Sequence, residues 1–344
     1  MGLSCCHNNV RDASVSVVAG KAQAPTRSGL KGGALVKALV TGGAGFIGSQ
    51  LVRALADSGI RVHVLDNLTT GNAANVDPRA VMHIADIRSS EARTLLIRES
   101  PDIVFHLAAQ ADVQHSIHHP DEDADVNVLG TIHLLQACRE AGVSKIIFAS
   151  TSGVYGELQK QCIQEDDPVE PISGYGLSKL TAESYIRLFY RLYGLNYTIL
   201  RYGNVYGPGQ AAKGEGGVVA IFMDRLKKGS PLLIHGDGTQ TRDFVYVKDV
   251  VRANMAAIHA ADQRTVHVST GRTTSINRLA YDLLKLHGSS VRPVYSPARA
   301  GDIHHSCLSN AVARHWLHWE PLFGISAGLK ETYVSSMGTD KEGI

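Results

Sequence analysis

The feature that most restricts how this chain can fold is a glycine run, Thr41-Gly42-Gly43-Ala44-Gly45-Phe46-Ile47-Gly48, set between an apolar segment and a helical one. Ala34–Val40 reads as a short buried strand, and Phe46–Ser58 carries Ile47, Leu51 and Leu55 on one helical face. The run contains G-x-G-x-x-G from Gly43 and G-x-x-G-x-x-G from Gly42. Glycines so spaced allow a tight turn, close approach of backbone to a pyrophosphate, and close packing of helix on strand. The helix start then offers unpaired N–H groups and a positive dipole end to phosphates. Alone, such a run is often only a turn; the strand before it and the helix after it give it meaning.

The alternation continues. Arg61–Leu65, Ile103–His106, Lys145–Ala149 and Tyr197–Arg201 read as strands, separated by helical stretches at Glu91–Glu99, Asp121–Ala141 and Tyr175–Tyr193. This rhythm predicts an α/β fold, a doubly wound parallel sheet with helices on both faces. Beyond Asn204 the elements shorten and Gly- and Pro-rich connections appear (Gly207-Pro208-Gly209, Lys213-Gly214-Glu215-Gly216-Gly217), which predicts a smaller C-terminal region. The expected organisation is a flexible leader over 1–33, a dinucleotide-binding domain over 34–203 to which about 232–270 return, and a substrate region over 204–231 and 271–335.

Composition narrows the class. A chain of 344 residues, 44% hydrophobic and 19% charged, can bury a large core. Its 34 basic and 32 acidic residues leave a net charge of +2, no footprint for nucleic acid or an anionic membrane. No apolar run reaches the roughly 20 residues a transmembrane helix needs, and no stretch resembles a secretory signal. Cys5, Cys6, Cys138, Cys162 and Cys307 show no CxxC spacing, so neither a zinc site nor a disulfide framework is expected. A reduced, cytoplasmic protein is the expectation. The opening Met1-Gly2-Leu3-Ser4-Cys5-Cys6 departs from the myristoylation pattern at Cys6, where Ser or Thr is required. The 16 histidines include a loop cluster (His115, His118, His119), the adjacent His304-His305, and His315 with His318. None has metal-site spacing, so no metal is expected. Trp316 and Trp319 beside Leu317 read as a packing stripe.

Asp66 ends the second strand, 18 residues past Gly48, where a carboxylate can accept hydrogen bonds from the adenosine ribose hydroxyls. The same charge repels a 2′-phosphate, which favours NAD over NADP. Asp86-Ile87 follows another short strand and suits an adenine contact; small residues in His106-Leu107-Ala108-Ala109 leave room for a cofactor to pass.

Tyr175-Gly176-Leu177-Ser178-Lys179 sets a phenol and an ammonium four residues apart at a helix start, hence on one face. The cation favours the phenolate, and a tyrosine so tuned can take a proton from a sugar hydroxyl while hydride leaves the same carbon. The strand Lys145–Ala149 runs into Ser150-Thr151-Ser152-Gly153-Val154-Tyr155-Gly156, putting hydroxyls at the sheet edge where α/β folds bind ligands.

TGGAGFIG, Asp66, the hydroxyl run before VYG and YGLSK together resemble the extended short-chain dehydrogenase/reductase superfamily, with its Rossmann-type sheet. LRYGNVYGPGQ (200–210), GEGGVVAIF (214–222), GDGTQTRDFVYVKDV (236–250) and ARAGDIHHS (298–306) resemble its nucleotide-sugar 4-epimerase branch, most closely the UDP-glucose 4-epimerase type. The resemblance spans about residues 35–330. It implies Tyr175 as catalytic base and acid, Lys179 as its partner, and Thr151 as the hydroxyl on sugar O4. It implies NAD contacts from Gly42, Gly45, Phe46, Ile47, Gly48, Asp66, Asn67, Asp86, Ile87, Leu107, Ala108, Ala109, Asn127 and Tyr202, besides Tyr175 and Lys179. Ser152, Asn204, Val218, Arg242, Arg299, Asp302 and Ser306 match positions that hold the UDP-sugar. Guanidinium forks suit a pyrophosphate in their own right. The resemblance also implies a homodimer joined through Asp121–Ala141 and Tyr175–Tyr193.

Within the branch, dehydrating and decarboxylating relatives carry acidic residues where Ser152 and Gly153 stand. Uronate-specific relatives carry a cation where Ala211 and Ala212 stand, although Lys213 is close by. Epimerisation of a neutral UDP-hexose remains, with a UDP-glucuronate 4-epimerase and a non-enzymatic NAD-binding regulator as alternatives. The position four residues past Asp302, in the family a wall of the hexose pocket, is Ser306; so small a residue implies room for an N-acetyl group.

Overall fold

The structure is a computed structural model that describes residues 36–158, 160–212, 217–298 and 303–338. At its centre lies a seven-stranded sheet of β1 (Lys37–Thr41), β2 (Arg61–Asp66), β3 (Val81–Ile84), β4 (Ile103–His106), β5 (Lys145–Thr151), β6 (Asn196–Tyr202) and a last strand, Arg264–Val268. The spatial order is Arg264–Val268, β6, β5, β4, β1, β2, β3, and every pairing is parallel. Ala38 of β1 stands opposite Val62 on one side and Ile103 on the other. The chain winds outward from β1 through β2 and β3, returns to β4, and winds the other way. Strand order therefore reverses between β1 and β4, and that is where such sheets bind ligands, at their carboxyl ends.

The central strands form around short apolar runs, Ala38–Val40, Ile103–Phe105 and Ile146–Ala149; all four residues of β4 are buried, as a sheet covered on both faces demands. Leu51, Val52 and Leu55 of α1 (Phe46–Asp57) and Val250, Val251 and Ala253 of a helix at Val247–Ala257 cover Ala38, Val40, Val62 and Val64. On the other face, α2 (Ser90–Glu99), α5 (Gly130–Ala141) and α6 (Gly174–Tyr193) bring Leu95, Leu134, Leu135 and Ile186 against Leu39, Val104 and Phe148. Each fully buried leucine or valine stabilises the fold by about 1.5–3 kcal/mol.

The C-terminal region has its own core, which includes Tyr206, Phe222, Met223, Ile234, Tyr246, Leu279 and Leu283. Its strands are fragments: Asn204–Tyr206 pairs with Phe244–Tyr246, Leu233–His235 with Val294–Ser296, and Thr241–Arg242 with Thr274–Ser275.

Three readings need correction. The stretch Asp121–Ala141 is not one regular helix: α4 (Pro120–Ala124) passes through a π-helical turn, Asp125–Leu129, into α5. The three-histidine cluster is not a loop, because Asp112 accepts the N–H groups of Gln114 and His115 at 2.8 and 3.1 Å and starts α3 (Val113–His118). The tryptophan stripe splits: Trp319 is buried and donates to the Asp249 carbonyl at 2.9 Å, whereas Trp316 is 41% exposed beneath the Arg264 guanidinium. The first strand begins at Lys37; Ala34, Leu35 and the leader lie outside the described residues. Among the described residues no helix is long and apolar enough to cross a membrane.

Candidate active site

The glycine turn sits at the switch point. Gly42 has φ +69°, and a Cβ there would stand 2.7 Å from the Ala108 nitrogen, so only glycine lets β1 pass the end of β4 so closely. A Cβ on Gly48 would overlap the Gly42 carbonyl oxygen, which holds α1 tight against the turn. Gly45 caps α1 without any side-chain bond, leaving the helix's first N–H groups to a ligand. Asp66 is buried at the end of β2; it accepts the Ala44 N–H at 2.9 Å and the Leu68 N–H at 2.8 Å. Asn67 donates to Asp86 at 2.9 Å, and Arg88 grips the same carboxylate in a fork at 2.8 and 2.7 Å, holding it well below the usual range. Ile87 turns its side chain into the core beside α2 and α5.

His106, at the end of β4, is buried and neutral, its pKa pushed down to about 3 by burial and by the nearby Lys179 charge. It bonds Thr41 at 2.8 Å and Thr131 at 3.0 Å. Because Thr131 gives its own proton to the Asn127 carbonyl, Nε2–H of His106 must be the donor to Thr131, and Nδ1 accepts from Thr41. One histidine thus fixes the ends of β1 and β4 relative to the helical run. Asn127, in the π turn, exchanges two bonds with Gln110 at 2.9 and 2.8 Å and reaches Ser178 of α6 at 3.0 Å. The extra residue in that turn gives Asn127 its place between Leu107–Gln110 and the start of α6.

Ser173 caps α6 by accepting the Gly176 N–H at 3.1 Å. Tyr175 is half-buried, and Lys179 one turn on is buried with its ammonium 4.4 Å from the centre of the Phe148 ring. Thr151 ends β5 and accepts the Gly153 N–H at 3.0 Å, starting the 3₁₀ turn Ser152–Tyr155. A Cβ on Gly176 would stand 2.5 Å from the Gly153 carbonyl oxygen, so α6 begins directly against the turn that follows Thr151. Tyr202 is buried, its hydroxyl paired with Asn254.

Beneath these groups lies a buried polar network that the sequence reading missed. Glu183 accepts from Ser150 at 2.6 Å, from Arg201 at 2.9 and 2.7 Å, and from Arg187 at 2.7 Å. Burial alone would push its carboxyl up, but those cations outweigh it and keep Glu183 ionised. Arg201 continues to the Tyr155 hydroxyl at 2.5 Å, which meets Nε2 of His267 at 2.6 Å. The only hint in the sequence is Glu183 falling one and two helical turns past Lys179 and Tyr175, on their face of α6.

Of the residues expected to meet the substrate, Asn204 opens a short strand and donates to the Asp243 carbonyl at 2.7 Å; Val218 starts the helix Val218–Lys227; Arg242 is half-buried and donates to the Thr241 carbonyl at 2.9 Å. Asp243 was also missed: fully buried, it accepts from Thr270, Gly271 and Leu308 and so ties this region together. Ser306 is buried and donates its N–H to the Thr241 carbonyl at 3.2 Å, beside Arg242. Arg299, Asp302 and Lys213 lie outside the described residues. Contrary to the scattered spacing of the cysteines, Cys162 and Cys307 lie with sulfurs 3.4 Å apart, both thiols free. Among the described residues no three His, Cys, Asp or Glu side chains converge to hold a metal ion.

The NAD dependent epimerase/dehydratase family matches residues 38–269. A UDP-glucose 4-epimerase of Mycolicibacterium smegmatis is 40% identical over 304 residues, 86% of this chain and 97% of its own. The crystal structure of Thermotoga maritima UDP-glucose 4-epimerase with UDP-glucose has TM-score 0.84 at 43% identity, covering 87% of this chain and 98% of that one. The Thermus thermophilus UDP-glucose 4-epimerase complex with NAD has TM-score 0.85 at 39% identity, covering 88% and 100%.

Proposed function

This chain belongs to the NAD dependent epimerase/dehydratase family, and on that premise we propose that it is a UDP-hexose 4-epimerase, interconverting UDP-glucose and UDP-galactose through a transient 4-keto sugar. One observation carries the reading: an uncapped, glycine-built helix start and the Thr151, Tyr175, Lys179 trio sit at the carboxyl end of one parallel sheet. The first fits NAD, with Gly42, Gly45, Phe46, Ile47 and Gly48 for its pyrophosphate and Asp66 for its ribose hydroxyls. Held there, NAD would supply the hydride acceptor and donor for C4 of the sugar.

Tyr175 removes the proton of the C4 hydroxyl, its phenolate favoured by the Lys179 charge. Thr151, whose oxygen is oriented by the Gly153 N–H, donates to O4. The keto sugar then turns about its bond to the pyrophosphate, and Tyr175 gives the proton back on the other face. Arg242, Asn204 and Val218, with Arg299 and Asp302, hold UDP, so that binding energy goes to the nucleotide and the hexose stays free to turn. Ser152 and Gly153 bring no carboxylate for dehydration or decarboxylation, and Ala211 and Ala212 bring no cation for a uronate. Ser306 leaves the hexose pocket wide enough for an N-acetyl group.

Residues 34–203 with about 232–270 form the cofactor domain of this reading, and 204–231 with 271–335 the substrate region. The enzyme is a cytoplasmic homodimer. Leu177, Leu188 and Leu192 form an exposed apolar stripe along α6, a face that a second copy would cover. The test is a panel of UDP-glucose, UDP-N-acetylglucosamine and UDP-glucuronate with purified protein. The first two should be epimerised and the third should not; bound NAD without any epimerisation would leave a binding protein instead.

A further inference from the structure

The segment after β5 and the segment that carries Ser306 run side by side. Ile163 forms a parallel bridge with Leu308: the Ile163 N–H donates to the Cys307 carbonyl and the Ser309 N–H to the Ile163 carbonyl, each at 2.8 Å. That register sets Cys162 directly beside Cys307, and neighbouring parallel backbones lie within the Cα separation a disulfide spans. The sulfurs are 3.4 Å apart, against about 2.05 Å in a bond. Cys162 is half-buried and Cys307 buried. A cleft of about 320 Å³ opens at the residues that precede them in the chain, lined by Glu157, Leu158, Lys160, Gln161, His304 and His305. The 304–306 backbone is in turn bonded to Thr241, the neighbour of Arg242.

We propose that Cys162 and Cys307 are a disulfide-forming pair, oxidised by a small-molecule disulfide that enters from this cleft, and that the bond slows epimerisation by fixing the segment that walls the sugar pocket. The half-buried Cys162, as its thiolate, attacks one sulfur of the incoming disulfide and expels one thiolate, leaving a mixed disulfide. Cys307 then gives up its proton and attacks the Cys162 sulfur, expelling the second thiol. Two protein thiols are oxidised, one disulfide is reduced, and two small thiols leave. Burial pushes the Cys307 thiol up to about 12, which suits it to act second and only against a sulfur already in contact. Bond formation closes about 1.4 Å between the sulfurs and ties the segment of Cys162 to the segment that carries Ser306.

The slowing rests on the function proposed above; the bond does not. The experiment treats reduced, full-length protein in its native state with oxidised glutathione, then measures UDP-glucose epimerisation and maps non-reduced peptides by mass spectrometry. The expected result is a Cys162–Cys307 cross-linked peptide, turnover lowered about tenfold or more, and recovery with dithiothreitol. Cys162→Ser should match wild type when reduced and keep its turnover in oxidised glutathione. Glutathione remaining on Cys162, both thiols remaining free, or a cross-link that leaves turnover within twofold would each overturn the proposal. A protein inactive before oxidation contradicts the epimerase reading instead, and the cross-linked peptide is read all the same.

Discussion

The two halves of the proposed site are built differently. The cofactor side hangs on strands of four to seven residues in one continuous sheet, and each functional group sits at a strand end or helix start with its own local fastening. Ser173 caps the helix of Tyr175, Thr151 starts its own turn, and His106 joins two strand ends. The proposed substrate side uses strands of two or three residues, and the groups proposed for it come from positions 204, 218, 242, 299, 302 and 306. On the proposed reading, rigid support lies where atoms are exchanged, and looser construction where the hexose turns between two faces.

The contrast breaks most easily at the base. Tyr175→Phe should lower turnover by about 10²–10⁴-fold while NAD, measured after denaturation, stays bound; near wild-type rates would remove Tyr175 from the chemistry. Arg242→Ala tests the other side: KM for UDP-glucose should rise about 10–100-fold, the worth of one charged hydrogen bond, with NAD content unchanged. Loss of NAD in that variant would mean that the two sides are not separable. Gly42→Ala asks the reverse. A side chain at φ +69° against Ala108 should cost about 1–3 kcal/mol in urea unfolding and reduce retained NAD. Ser306→Tyr should leave UDP-glucose turnover within severalfold while UDP-N-acetylglucosamine use drops about tenfold or more; equal loss on both substrates would show that Ser306 is no gate.

A last test concerns pH. His106 and His267 are buried with pKa values pushed down to about 3, and both belong to the sheet. In the unfolded chain each titrates near 6.5, so below that pH the unfolded state binds protons that the folded state refuses. Stability should be undiminished above pH 6.5 and fall as pH drops from 6.5 towards 3, by at most about 1.4 kcal/mol per pH unit for each histidine. Urea midpoints at pH 7, 6 and 5 measure the slope. His267→Gln should flatten it by one proton's worth, and an unchanged slope would mean that His267 titrates normally when folded.

The same contrast explains what could be read from the sequence. Strand, glycine turn, helix and Asp66 are local signals, and the parallel sheet and switch point follow from their alternation. The Tyr175–Lys179 pair is legible because a helix repeats every 3.6 residues. What stayed hidden depends on distant neighbours. The π turn at Asp125–Leu129 suits Asn127, whose partners Gln110 and Ser178 lie 17 and 51 residues away. Glu183 and Arg201 look like surface charges until β5, β6 and α6 enclose them. Cys162 and Cys307, separated by 145 positions, meet only because Ile163 pairs with Leu308.

The central claim is that hydrogen leaves C4 of the sugar and returns to the same carbon on the opposite face. UDP-glucose deuterated at C4, incubated in ordinary water with the purified protein and no added nucleotide, tests it most directly. The account predicts UDP-galactose that keeps its deuterium at C4, made by protein that yields NAD on denaturation. UDP-galactose with hydrogen from water at C4, or no UDP-galactose at all, would contradict it.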